Sequence, residues 1–82
     1  MKAKTKTNKI RQYALVRLTD KAREYFENQC GDEDPIFSDN HFVFLGDIPN
    51  MLGHCVIVGY RSERIHVGYH TSDFQELTEE EV

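Results

Sequence analysis

Residues 54–70 read HCVIVGYRSERIHVGYH. Two β-rich runs, HCVIVGY (54–60) and IHVGYH (65–70), flank a short polar turn at 61–64. Isoleucine, valine and tyrosine recur in both runs, and these side chains suit a pleated, half-buried surface. The stretch therefore predicts an antiparallel hairpin. A strand has a side-chain period of two, so His54 and Cys55 face opposite sides of the first arm and do not act as a unit on one ion or substrate. In the second arm, strict alternation puts His66, Gly68 and His70 on one face and Ile65, Val67 and Tyr69 on the other. That spacing separates the two histidines by about 13 Å.

Upstream of the hairpin, PNMLG (49–53) turns the chain and FVFLGDI (42–48) predicts a strand with Phe42 and Phe44 on one face and Val43 and Leu45 on the other. Gly46 marks a bend or bulge in it. YALVRL (13–18) is a further strand, apolar on both faces. Thr19 follows as a helix N-cap, with Asp20 and Glu24 in the first turns where the helix dipole favours acids. DKAREYFENQC (20–30) then predicts a helix, with Ala22, Tyr25, Phe26 and Gln29 forming its core-facing stripe and Gly31 as its stop. GDEDPIFSDN (31–40) is an acidic loop, and DFQEL (73–77) is a brief final strand.

The result is a mainly β, α+β domain of order β-α-β-β-β with a possible fifth strand. Four or five short strands in about 70 residues suit a small, SH3-like, partly open antiparallel barrel or a curved sheet, with one helix inserted after strand 1. The SH3-like reading is an analogy of architecture, carried by no motif. The domain is expected over 13–77, between a basic arm (1–12) expected to be disordered and an acidic, frayed tail (78–82).

With 82 residues the chain suits one domain with a small core. Charge is unevenly distributed. Residues 1–12 carry Lys2, Lys4, Lys6, Lys9 and Arg11 with no acid, whereas residues 13–82 hold five basic and fourteen acidic side chains. The acidic body repels phosphate, so nucleic-acid binding would rest on those five arm residues. No apolar segment follows the basic start and none approaches the ~20 residues of a membrane helix. The two cysteines, Cys30 and Cys55, are read as free thiols of a cytoplasmic protein, with a 30–55 disulfide only weakly allowed.

Chemistry-bearing constellations are few. His41, His54, Cys55, His66 and His70 are the set from which a metal site would be drawn, with Cys30 in reserve. They lack a C-x-x-C or a helical H-x-x-x-H, so no metal site is assigned. Cys55 begins a buried strand, and Cys30 lies at the unfavourable end of a helix dipole, so neither suits a nucleophile. Asp32, Glu33, Asp34 and Asp39 depart from the EF-hand pattern. Phosphate-binding and nucleophile-elbow motifs are absent from the sequence. No enzymatic activity and no cofactor are expected.

The expected function is that of a small, non-enzymatic interaction module or regulator that binds a protein partner, as a monomer or weak homodimer. Its candidate contact residues are Tyr60, Arg61, Arg64, His54, His66, Tyr69, His70 and Phe74, gathered around the hairpin. The alternative is a nucleic-acid-binding barrel that uses the arm with an aromatic platform of Tyr60, Tyr69 and Phe74. A small metal-binding protein is a second alternative.

Overall fold

The computed structural model describes residues 10–81, with the backbone alone for Cys30 and Asp32. Its elements are β1 (Leu15–Leu18), α1 (Asp20–Cys30), β2 (Phe42–Asp47), β3 (His54–Gly59), β4 (Ile65–His70) and β5 (Phe74–Glu76). Short 3₁₀ turns occupy Gly31–Glu33, Pro35–Ser38 and Thr71–Asp73. The strands form one antiparallel sheet of order β4-β3-β2-β1-β5. The sheet is not closed: β4 and β5 are its two edges. The arm residues Lys2, Lys4, Lys6 and Lys9 lie outside the described residues.

Local chemistry sets the helix. The Thr19 hydroxyl accepts a hydrogen bond from the Ala22 N–H at 3.1 Å, satisfying one donor of the first turn. Gly31 closes the other end with φ 73°, its N–H donating to the Glu27 carbonyl. Among the described side chains of α1, Ala22 and Phe26, one helical turn apart, reach the core; Tyr25 and Gln29 are exposed.

The core lies on one face of the sheet. Val16, Leu18, Phe42, Phe44, Cys55, Ile57 and Phe74 enter it from the strands, and Ala22 and Ile36 close it from the helix and the second 3₁₀ turn. Its aromatic rings meet edge to face: Phe42 with Phe74 at 5.9 Å, Tyr69 with Phe74 at 6.3 Å and Phe26 with Tyr69 at 5.7 Å between centroids. Such pairs are favoured by ring quadrupoles beyond the area they bury.

Two bulges flank one point of β3. In β2, Phe44 pairs with Ile57 and Gly46 with Val56, so Leu45 is an extra residue. In β4, Val67 pairs with Val56 and Tyr69 with Cys55, so Gly68 is extra. Gly46 (φ 139°) and Gly68 (φ 97°) adopt backbone conformations that other residues rarely take. Bulges bend a strand and increase its twist, and two beside Val56 curve the sheet there. The amide of Gln12 donates to the Leu45 carbonyl at 2.9 Å, satisfying a group the first bulge takes out of the ladder.

The second bulge overturns the expected faces of β4. His66 and Tyr69 both turn inward, while Ile65, Val67 and His70 turn outward. His66 and His70 therefore lie on opposite faces, and Tyr69 is separated from Ile65 and Val67. One inserted residue reverses the alternation, and the sequence of β4 alone does not register it.

Asp39 anchors the β3–β4 turn. Its carboxylate accepts from the backbone N–H groups of Arg61 and Ser62, both at 3.0 Å, and from the hydroxyls of Ser62 at 2.5 Å and Ser38 at 3.3 Å. Burial pushes the carboxyl upward, but the Ser62 hydroxyl and the other donors outweigh it and hold Asp39 below the usual carboxylate range. Its stabilisation is present above the unfolded value of about 3.9 and is lost as pH falls through the lower folded value. Gly59 makes room for this cluster: a Cβ there would overlap Asp39 Oδ2 and Ser62 Oγ.

Both ends of the described segment are tied to the sheet. Arg11 forms an ion pair with Glu76 at 2.8 Å, and Arg17 Nε donates to Glu81 at 2.8 Å. At residues 78–81 the Glu81 carboxylate also accepts from the Thr78 N–H.

Asp39→Ala is expected to lower stability by about 1–3 kcal/mol, because it removes a buried carboxylate that accepts four hydrogen bonds and leaves their part-buried donors without it. Gly59→Ala should also destabilise. In urea denaturation the double variant should lose less than the two single losses combined, since both break the same cluster. Strict additivity would refute the shared role.

Candidate functional site

The eight hairpin residues separate into three groups. Phe74 is 2% exposed and belongs to the core. Tyr69 packs against the core, and its hydroxyl donates to Asp34 Oδ1 at 3.3 Å. His66 is 8% exposed, with its ring 5.8 Å from those of both Phe42 and Tyr69. Phe74 and His66 are buried and Tyr69 is half-buried, so these three side chains pack into the fold more than they face solvent.

Tyr60, Arg61 and Arg64 form the second group, exposed around the β3–β4 turn. No ion pair joins Arg61 or Arg64 to an acid among the described residues. The third group is His54 and His70, opposite one another at the far end of the hairpin with ring centroids 4.4 Å apart. His70 also borders an open cleft of about 560 Å³ at the start of α1, with Lys21, Tyr25, Ser72 and Asp73. Burial pushes the Asp73 carboxyl upward, opposed by the nearby His70.

The more extensive surface is one that sequence reasoning missed. On the face away from the core, Leu15, Val43, Val58 and Ile65 stand directly opposite one another across β1, β2, β3 and β4. Val56 and Val67 add a second pair beside them. The first three are half-buried, but Ile65 and Val67, on the edge strand, are 66% and 64% exposed. Each residue type was legible as an outward strand position; the row they form depends on register between four strands.

The backbone at this edge is directional. The Gly59 N–H donates to the Arg64 carbonyl, which makes Val58 and Ile65 a non-hydrogen-bonded pair. The N–H and C=O of Ile65 therefore point away from β3, and by alternation those of Val67 do too. The outward row thus ends at an edge strand that no other described strand pairs with on that side.

Cys55, Asp34 and Asp39 have structural roles. Cys55 is a fully buried free thiol, pushed upward by burial and by the negative charges of Asp47 and Asp73 against a hydrogen bond with Thr71. A free Cys55 leaves no 30–55 disulfide. In the acidic loop, Asp34 Oδ1 accepts from the Ile36 N–H at 2.9 Å, and Asp39 holds the turn. The His41 carbonyl accepts from the Tyr60 N–H. Among the described residues, no group of three or more His, Cys, Asp or Glu is placed to hold a metal ion. Of the arm residues proposed for nucleic acid, Arg11 is engaged by Glu76. No helix among the described residues is long and apolar enough to cross a membrane.

No family model, curated protein or solved structure matches this chain.

His66 is placed to make the fold pH-sensitive. Among the described residues its Nε2 has no hydrogen-bond partner, and burial lowers its pKa, opposed by Asp39 and Asp34 and aided by Arg64. The unfolded chain, with an ordinary imidazole near 6.5, then binds more protons than the folded one. Stability should fall as pH drops below about 6.5 and continue to fall until the lower folded pKa is passed. His66→Phe should flatten this dependence between pH 7.5 and 5.5 in thermal melts. It should also raise stability at pH 7.5 by about 1 kcal/mol, because it removes an unsatisfied buried nitrogen. An unchanged slope would rule out His66 as the source.

Proposed function

We propose that the chain is a non-enzymatic interaction module, acting as a regulator or adaptor, that binds an extended segment of a protein partner along β4. The observation that carries this reading is the outward apolar row ending at Ile65 and Val67, where the backbone groups of the edge strand point into solvent. A strand added there continues the hydrogen-bond ladder and seats its own apolar side chains beside Ile65 and Val67. Arg61 and Arg64 stand at one end of the edge, so the preferred segment carries an acidic residue there. The Gly68 bulge ends the regular stretch of edge and limits the added strand to a short segment.

The strand order and the consecutive β2–β3–β4 hairpins are compatible with an SH3-like small barrel, an architecture that hosts many functions. A free, buried Cys55 suits a reducing cytoplasm. The nucleic-acid alternative is weakened by the inward Tyr69 and Phe74 and the paired Arg11.

Selection of a random peptide library on the immobilised full chain tests the proposal. Enriched peptides should alternate apolar residues and carry an acid at one end. Ile65→Glu and Val67→Lys should each weaken their binding about tenfold or more, while stability stays within about 0.5 kcal/mol, since both sites are exposed. Replacing Lys2, Lys4, Lys6 and Lys9 with glutamine should leave peptide binding intact. Absence of enrichment, or binding indifferent to Ile65→Glu and Val67→Lys, would overturn the proposal. A mass that doubles with concentration and reverts in Val67→Lys would give the edge to a second copy instead.

A further inference from the structure

The geometry points to a second site, independent of the partner-binding edge: His54 and His70 form a two-imidazole site for a late first-row divalent metal ion. The Thr71 N–H donates to the Gly53 carbonyl at 2.8 Å, which makes His54 and His70 a non-hydrogen-bonded pair. This is the register in which facing side chains of an antiparallel ladder come closest, with Cα atoms about 4.5 Å apart. The rings lie with centroids 4.4 Å apart and an interplanar tilt of 40°.

His70 reaches this position because of the Gly68 bulge. Uninterrupted alternation from the inward His66 would turn His70 inward as well; the extra residue brings it out beside His54.

The second observation concerns the His54 tautomer. Its Nδ1 lies 3.1 Å from the Leu52 carbonyl oxygen. A carbonyl only accepts, so Nδ1 carries the proton in the neutral ring and Nε2 presents a lone pair. A backbone carbonyl on the far ring nitrogen is the outer-shell arrangement that orients metal-ligating histidines. His70 is exposed, so its ring can rotate to share an ion with His54. Asp73, which lines the same cleft as His70, adds a nearby carboxylate. Imidazole pairs favour Cu²⁺, Ni²⁺ and Zn²⁺ over Mg²⁺ and Ca²⁺, with water filling the remaining positions.

The test uses the full chain without a histidine tag, with NiCl₂ and ZnCl₂ as probes. Calorimetry should give one equivalent bound for each, and MgCl₂ should give none. Ni²⁺ should broaden the ¹H–¹³C ring signals of His54 and His70 first in NMR spectra. His54→Gln and His70→Gln should each weaken Ni²⁺ binding about tenfold or more, whereas His41→Gln should leave it unchanged. Amide spectra of each variant report whether the fold is intact. Binding unaffected by either His54→Gln or His70→Gln, or broadening centred on Met1 or His41, would overturn the inference. So would the absence of Ni²⁺ binding by a folded wild-type chain.

Discussion

One residue in excess, Gly68 opposite the Cys55–Val56 step, decides what each side of β4 presents. Before it, His66 points into the core and Val67 out. After it, Tyr69 points in again and His70 emerges. The core gains two rings, which meet Phe42, Phe26 and Phe74. The surface gains a histidine beside His54. A regular strand would send either His66 and His70 inward, or Tyr69 inward with neither histidine. The glycine is needed because the bulge places it at φ 97°, where a side chain is strained.

The bulge acts on a hairpin whose register is already fixed at its other end. There the Asp39 carboxylate gathers two backbone amides and a hydroxyl from the β3–β4 turn, against a glycine with no space for a Cβ. These contacts cross more than twenty residues of sequence and join the segment before β2 to the turn after β3. With the turn held, Val58 faces Ile65 and the apolar row extends from β1 to the open edge. The same register orients the backbone of Ile65 and Val67 toward solvent. Fold and candidate interface thus rest on the same two devices.

Much of the fold is written locally. Thr19 and Gly31 bracket α1 because a hydroxyl cap and a positive-φ stop act within a few residues. The strand runs are legible because β-branched and aromatic residues cluster between turn formers, and Gly46 marks its bulge. The faces of β4 are not local, since glycine in a strand is compatible with a bulge or with regular pairing, and only the neighbouring strand decides. Asp39 reads as one acid in an acidic loop until the turn that it caps is brought to it. Of the candidate contact residues, Tyr60, Arg61 and Arg64 stay at the surface because turns are solvated. Phe74 and Tyr69 go inward because a small core needs large rings to fill it. His54 was separable from Cys55 by alternation alone, but its partner His70 was not identifiable without the bulge.

The register around Gly68 decides which face Tyr69 and His70 take, and nuclear Overhauser spectroscopy on the labelled chain measures it directly. The account predicts a strong Hα–Hα cross-peak between His54 and His70, ring contacts between them, and separate ring contacts from His66 to Phe42 and Tyr69. A His54 Hα that meets Tyr69 instead, or a His66 ring on the same face as His70, would contradict it.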